Sequence, residues 1–138
     1  MQLNDIELSS CLYISGQMSG LPDLGKSLLD STESAWREVG FKKIINPYDM
    51  VDQSSVPTWS DCMRIDIKEI FTSDVKAMLL IDNWKNSKGA TLEVILFLSL
   101  GIPIFHYDSG SNITSKTFSE FTQEFLYDKF QQMVMAES

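Results

Sequence analysis

Hydrophobic positions alternate along the chain between short, nearly continuous apolar runs and longer stretches in which apolar residues recur every three or four positions. Runs of the first kind are typical of buried strands, and stretches of the second kind are typical of amphipathic helices. The four strand-like runs are Cys11–Ser15, Phe41–Asn46, Val75–Ile81 and Ile102–Tyr107. Because these runs alternate with helical stretches, we predict a parallel sheet with crossover helices.

Helical spacing predicts four helices between and after the strands. The first ends at Gly40 and carries its apolar side chains at Leu28, Thr32, Ala35, Trp36 and Val39. The second begins near Pro57 and has one apolar face made of Met63, Ile67, Ile70 and Phe71, with Asp66 at its edge. The third follows the polar loop 82–88 and closes at Gly101. The last carries the apolar stripe Phe118, Phe121, Phe125, Leu126, Phe130 and Met133, whereas residues 47–58 and 108–116 are predicted to be loops.

This order of elements predicts an α/β fold, a Rossmann- or flavodoxin-like three-layer sandwich around a parallel sheet of four or five strands. A chain of 138 residues is long enough for one hydrophobic core, so we expect a single domain over residues 1–138. Ligands of such sheets bind beyond the carboxyl ends of the strands, where the connections diverge. The loop Gly16–Gly20, Asp66, Ser87 and Glu93 are expected to meet there.

Composition excludes several classes of partner. The net charge is −8, from 19 acidic and 11 basic residues, and no Lys/Arg cluster is dense enough to follow a nucleic-acid polymer. With two isolated cysteines and one histidine, a zinc site would lack ligands, and we expect neither a metal nor a cofactor. No apolar run is long enough to span a membrane and no signal peptide is evident, so we expect a cytoplasmic protein that does not bind membranes.

One carboxylate, Glu93, lies inside the most apolar helix, directly before Val94–Leu98. A buried charge costs free energy unless it has a partner or a catalytic task. Glu93 is therefore either a structural charge paired with Lys88 or Arg64, or a functional group.

The chain resembles a known superfamily through an ordered set of short motifs. They are Tyr13-Ile14-Ser15-Gly16-Gln17-Met18-Ser19-Gly20, Asn46-Pro47, Trp59 with Met63-Arg64-Ile65-Asp66-Ile67, Asp74, Asn83-Trp84-Lys85-Asn86-Ser87-Lys88-Gly89-Ala90-Thr91-Leu92-Glu93, and Leu100-Gly101. Together they resemble the nucleoside 2-deoxyribosyltransferase-like superfamily, and most closely its small phage and bacterial branch, from about residue 11 to residue 105. That superfamily includes enzymes that exchange bases between deoxynucleosides and enzymes that hydrolyse nucleoside 5'-monophosphates.

The resemblance implies a role for each matching residue. Glu93 is expected to be the nucleophile that attacks the anomeric carbon, Asp66 the acid beside the leaving base, and Tyr13 the residue that orients the glutamate. The expected substrate-binding residues are Ser15, Gly16, Gln17, Met18, Ser19, Gly20, Trp59, Arg64, Trp84, Ser87 and Gly89. Trp59 and Trp84 are candidates to stack on a base.

Two carboxyl groups with pKa values shifted in opposite directions would separate nucleophile from acid. We therefore expect Glu93 to be ionised at neutral pH and Asp66 to carry the proton.

The resemblance also bears on the substrate and the assembly. Ser87 occupies the position of a phosphate-binding serine, which favours a deoxynucleoside 5'-monophosphate over a deoxynucleoside, and hydrolysis over transfer. Gln17 and Ser19 stand where the monophosphate hydrolases carry a serine and an arginine, so the phosphate would depend on backbone N–H groups, hydroxyls and Arg64. A homodimer or a larger homo-oligomer is implied as well.

Two other functions remain open from the sequence. Gly20–Ser27 satisfies the phosphate-loop pattern GxxxxGK[ST], which would indicate a nucleotide kinase, although Gln17, Met18 and Ser19 separate it from the first strand. A non-catalytic nucleotide-binding protein on the same fold is the other alternative.

Overall fold

A computed structural model of the protein describes residues 5–18, 20–50, 58–107, 113–117, 128 and 131–132. Within these residues the strands are β1 (Cys11–Ser15), β2 (Lys43–Ile45), β3 (Val75–Ile81), β4 (Ile104–Tyr107) and β5 (Ile113–Thr117). The helices are α1 (Lys26–Val39), α2 (Pro47–Met50), α3 (Trp59–Thr72) and α4 (Lys88–Leu100), and a turn of 3-10 helix covers Trp84–Asn86. The apolar residues of the stripe predicted for a last helix lie outside the described residues, whereas residues 128 and 131–132, which fall between them, are helical.

The described strands form one sheet in the order β2-β1-β3-β4-β5. Neighbours from β2 to β4 are parallel, whereas β5 pairs antiparallel with β4. The predicted α/β fold with four parallel strands is therefore confirmed, and the strand order is that of flavodoxin-like sheets. The segment 108–116 was predicted to be a loop, but β5 occupies part of it. Its sequence Ile-Thr-Ser-Lys-Thr has one large apolar residue, so apolar periodicity carried no signal for this edge strand.

Helices cover both faces of the sheet. Alternate residues of each strand point to opposite faces, so β1 and β3 each contribute to two core clusters. One core cluster joins Leu12 and Leu79 of the sheet to Leu29 and Trp36 of α1. The other joins Tyr13 of β1 to Ile70 of α3 and to Phe97 of α4. The molecule therefore has three layers, with α1 on one face and α3 and α4 on the other.

Helix α3 buries a different face from the one its apolar residues indicate. Its buried residues are Met63, Asp66 and Ile70, whereas Ile67 is partly exposed and Phe71 is 60% exposed. The predicted apolar face containing Ile67 and Phe71 is therefore wrong. The orientation of α3 on the sheet turns Asp66 inward, and this cannot be read from the spacing of apolar residues alone.

The ends of the helices agree with the capping signals in the sequence. Thr58 and Asp61 form a capping box that begins α3, and each side chain accepts a hydrogen bond from the other's backbone N–H. Gly40 and Gly101 end α1 and α4 with positive φ angles of 123° and 71°, a backbone region that favours glycine. Residues 47–50, predicted to be loop, form the short helix α2 instead. No helix in the part of the chain that the structure describes is long and apolar enough to cross a membrane.

Candidate functional site

The carboxyl ends of β1 and β3 mark the point where the chain connections diverge. From β1 the chain passes through α1 to β2, and from β3 it passes through α4 to β4 on the opposite side of the sheet. A crevice forms at such a switch point, and it is the usual ligand site of this topology. Ser15 is the last residue of β1 and is paired in register with Leu80 of β3. The predicted position of the site is therefore the topological switch point of the sheet.

Glu93 reaches this point from the second turn of α4. The helix begins at Ser87, whose hydroxyl oxygen accepts a hydrogen bond of 3.1 Å from the backbone N–H of Ala90. Glu93 is 5% exposed, and its Oε1 accepts a hydrogen bond of 3.4 Å from the hydroxyl of Ser15. Its second oxygen, Oε2, is buried without a hydrogen-bond partner. Within the described residues Glu93 makes no ion pair with Lys88 or Arg64, so the structural pairing that the sequence left open is not formed.

Asp66 supplies a second buried carboxyl group from α3. It is 7% exposed, and its Oδ1 is buried without a hydrogen-bond partner. It lies close enough to Glu93 for its negative charge to raise the pKa of that residue. Two carboxyl groups from different helices therefore share one desolvated pocket.

Tyr13 is the third member of this group and is fully buried on β1. Its hydroxyl interacts with both carboxyl groups and lowers the pKa of each. It forms no hydrogen bond of ordinary geometry with either of them. Burial, reinforced by the charges of Glu93 and then Asp66, raises the pKa of Tyr13 well above its ordinary value, so the phenol stays protonated as a donor.

Burial dominates the protonation of the carboxyl pair. It raises the pKa of Asp66 from 3.8 to about 7. Burial and then the charge of Asp66 raise the pKa of Glu93 from 4.5 to about 8, against the opposing hydroxyls of Tyr13 and Ser15. The expectation that the two pKa values shift in opposite directions is wrong, because one pocket desolvates both groups. Carboxyl groups this close lose their protons in two coupled steps, and the pair holds one proton between them over an intermediate pH range.

The rim of the pocket forms where α3 and α4 approach at their N-terminal turns. A Cβ atom added at Gly89 would lie 3.1 Å from Met63 Sδ and 3.5 Å from Trp59 Nε1, so a larger residue would require the Met63 side chain to shift. Lys88 Nζ lies 3.9 Å from the centroid of the Trp59 ring, a cation–π contact. Trp59 is 40% exposed. The structure thus brings Trp59, Ser87 and Gly89 together, about one to two helical turns before the acids.

The glycine loop after β1 is held against the end of β3. Gly16 is buried, and a Cβ atom there would lie 3.1 Å from Ile81 and 3.2 Å from Asn83 Oδ1. The backbone N–H of Gln17 donates a 3.0 Å hydrogen bond to the same Asn83 oxygen. A side chain at Gly16 would therefore require Ile81 and Asn83 to shift. Asn83 was assigned no role from the sequence, although an amide two positions after the end of an apolar strand can anchor a neighbouring loop.

Several predicted substrate-binding residues have other environments. Trp84 is 1% exposed within the core cluster of the α3 and α4 face, so it offers no open ring face to a base. Met18 packs against the α1 side of the core, and Arg64 lies on the exposed side of α3. Gly20 is exposed with a φ angle of 87°, and Ser19 lies outside the described residues. Trp84 is therefore a core residue, whereas Met18 is partly buried and its contact with substrate stays a prediction.

The phosphate-loop pattern at Gly20–Ser27 has a different local structure. The Asp23 carboxylate accepts hydrogen bonds from the backbone N–H groups of Gly25, at 3.0 Å, and Ser27, at 2.9 Å. Lys26 pairs with Asp30 one turn further along α1. The N–H groups that a phosphate loop would offer to a nucleotide are therefore bound to a carboxylate of the chain itself.

Comparisons with known proteins add a family. Neither the curated proteins nor the solved structures contain a match. Residues 10–106 match the family described as "Domain of unknown function (DUF4406)". The matched range includes the carboxyl pair, Tyr13, Ser15 and the rim residues. The chain belongs to the DUF4406 family.

Proposed function

We propose that the protein cleaves the N-glycosidic bond of a deoxyribonucleoside 5'-monophosphate or deoxynucleoside and releases the free base. The observation that carries this proposal is the buried pair Glu93 and Asp66 at the switch point of the sheet. The hydroxyl of Tyr13, on β1, interacts with both carboxyl groups. The proposal rests also on the resemblance of the motifs to the nucleoside 2-deoxyribosyltransferase-like superfamily. The family description itself names no activity.

Cleavage of this bond builds positive charge on the sugar and negative charge on the departing base. In the proposed first step, Glu93 attacks the anomeric carbon and forms a covalent ester while the bond to the base breaks. Asp66 donates its proton to the base as it leaves. In the second step, Asp66 as a carboxylate takes a proton from water, which attacks the anomeric carbon and releases Glu93. The first step needs one proton on the pair, held by Asp66 when the substrate is bound, and the second step returns a proton to Asp66.

Two hydroxyl groups lower the pKa of Glu93, whereas one lowers the pKa of Asp66. Ser15 and Tyr13 both interact with Glu93, whereas only Tyr13 interacts with Asp66. The developing positive charge of the sugar would lower the pKa of Glu93 further. In the protein alone, burial and then the charge of Asp66 hold the pKa of Glu93, about 8, above that of Asp66, about 7, so catalysis requires the bound substrate to reverse this order.

The rim supports a phosphorylated substrate. Ser87 accepts from Ala90, but its hydroxyl proton remains available to an anion at the start of α4, and Lys88 supplies a positive charge next to it. Hydrolysis is the proposed outcome, with transfer to a second base as the competing fate of the ester.

The proposal includes a homodimer or larger homo-oligomer in the cytoplasm. Leu92 and Ile95 on the outer side of the apolar helix α4 are each 41% exposed, which supports burial against another copy. Two cysteines that form no disulfide, Cys11 and Cys62, fit a reducing compartment.

The test is a chromatographic screen for free base, using deoxynucleosides and their 5'-monophosphates, each with and without an added acceptor base. Glu93→Gln keeps the size of the side chain and should lower base release roughly a thousand-fold or more, because it removes the nucleophile. Lys26→Ala is the matched control and should retain activity. Base release that survives Glu93→Gln, or that is lost in Lys26→Ala, would contradict the proposal.

Binding without chemistry is the remaining alternative. Tight calorimetric binding of a nucleotide, with no free base from any substrate in the screen, would identify the protein as a nucleotide-binding protein on the same fold.

A further inference from the structure

Ser15 has an environment that a strand residue with only a packing role would not need. It is 1% exposed at the last position of β1, and its hydroxyl donates to Glu93 Oε1, 78 positions further along the chain. Its neighbours Tyr13 and Ile14 on the same strand are fully buried. The fold therefore directs one strand-end hydroxyl at the single acid of α4.

The contact makes the two oxygens of Glu93 unequal. Oε1 receives the hydroxyl of Ser15, whereas Oε2 is buried without a partner. A carboxylate held at one oxygen has a fixed orientation, and lone pairs on the other oxygen are free to react. At 3.4 Å the contact is longer than an ordinary hydroxyl–carboxylate hydrogen bond of about 2.7 Å. Hydrogen bonds of this kind commonly shorten when the substrate is bound.

We infer that Ser15 is a positioning residue, which fixes Glu93 through Oε1 so that Oε2 is the oxygen that attacks the substrate. This inference rests on the proposed function. It changes the role of Ser15 from substrate binding to orientation of the nucleophile. The other groups that face Glu93 are Asp66 from α3 and Tyr13 from β1, and neither makes a hydrogen bond of ordinary geometry to it.

The first measurement does not depend on the reaction. The carboxyl carbon of Glu93 is followed by carbon-13 NMR during a pH titration, and its signal is assigned by its loss in Glu93→Gln. Ser15→Ala should move the Glu93 titration to higher pH, because it removes a donor that stabilises the ionised form. An unchanged Glu93 titration in Ser15→Ala would overturn the inference.

The second measurement uses turnover of the substrate found in the base-release screen. Ser15→Ala should lower kcat about ten-fold at neutral pH with little change in KM, and the loss should shrink as the pH rises. Ser15→Thr retains the hydroxyl and should recover most of the activity. A loss that is the same at every pH, or that appears in KM alone, would also overturn the inference.

A matched control separates this role from loss of a buried hydroxyl in general. Thr32 is fully buried in α1 and donates to the backbone oxygen of Leu28 at 2.7 Å. Thr32→Val should destabilise the protein while leaving the Glu93 titration and the pH profile unchanged. If Glu93→Gln still releases base, the proposed function fails, but the NMR titration still decides whether Ser15 holds Glu93.

Discussion

At the residue scale, Glu93 and Asp66 are the carboxyl groups that the described part of the fold withdraws from water. A desolvated carboxyl group prefers its neutral form, and one negative charge in the pocket discourages a second. The pair is therefore costly to ionise fully, in contrast to the exposed acids of the chain. If the two carboxyl groups served packing alone, replacing them with neutral side chains of the same size would raise the free energy of unfolding at pH values where the carboxyl groups ionise.

The cost of this pair predicts how stability depends on pH. Both folded-state pKa values are raised, from 3.8 to about 7 for Asp66 and from 4.5 to about 8 for Glu93. The folded protein then binds more protons than the unfolded chain between about pH 4 and pH 8, so the pair's contribution to the free energy of unfolding is complete below this range and lost through it.

Glu93→Gln should therefore be more stable than the native protein at pH 9, by about 2 kcal/mol or more, and nearly equal to it at pH 4. Urea denaturation across this range measures the difference. Glu38→Gln, which changes an exposed acid on α1, is the control and should show no such trend. A Glu93→Gln protein that is equally destabilised at both pH values would contradict the raised pKa.

At the scale of the element, α4 combines a local start signal with an unusual composition. Ser87 caps its first turn, and Gly101 ends it. Apart from Lys88 at the first position, Glu93 is its only charged residue, so the helix has apolar residues on all sides. A helix that is apolar on all sides is oriented by its packing in the core and not by an amphipathic pattern. The tertiary packing of α4 therefore determines that Glu93 faces the pocket.

Ser87 caps α4 and, under the proposed function, also binds the phosphate of the substrate. The two roles predict different effects of replacing it. Ser87→Ala should lower the free energy of unfolding by about 1 kcal/mol through loss of the cap. Under the proposed function, it should also raise KM for a 5'-monophosphate more than for the matching nucleoside. Both substrates are compared by steady-state kinetics.

Thr58→Ala removes the corresponding cap of α3 and serves as the control. It should cause a similar loss of stability without distinguishing between the two substrates. If Ser87→Ala alters KM for both substrates equally, Ser87 acts as a helix cap and not as a phosphate ligand.

At the scale of the whole molecule, the outer side of α4 predicts self-association. Leu92 and Ile95 are partly exposed there, and the one charged residue between them in the sequence, Glu93, faces inward and is buried. Light scattering coupled to size exclusion should give a dimer or larger species for the native protein. Ile95→Glu should shift it toward the monomer, because the new charge would be buried at the interface.

Ser34→Glu places the same charge on the exposed side of α1, across the sheet, and should leave the assembly unchanged. A native protein that is monomeric at every concentration tested would show that α4 is not an interface between copies.

The sequence predicted the parts of this fold that depend on short-range patterns. Strands β1 and β3 have the predicted bounds, and Gly40 and Gly101 end their helices as expected. The edge strand β5 was missed because it is defined by pairing with β4 rather than by apolar residues. Trp84 was predicted to contact substrate because a tryptophan in a loop has no periodicity that reveals whether its ring packs inward.

By itself, the sequence determined the alternation of strands and helices, the acid within the apolar helix and the edge of the sheet where polar residues gather. These follow from local spacing, since side chains three or four positions apart share a helix face and alternate residues share a sheet face. Only the tertiary structure decided that α3 turns Asp66 inward instead of Phe71, and that Ser15 donates to Glu93. It also decided that both carboxyl pKa values rise, because desolvation depends on neighbours brought together from β1, α3 and α4.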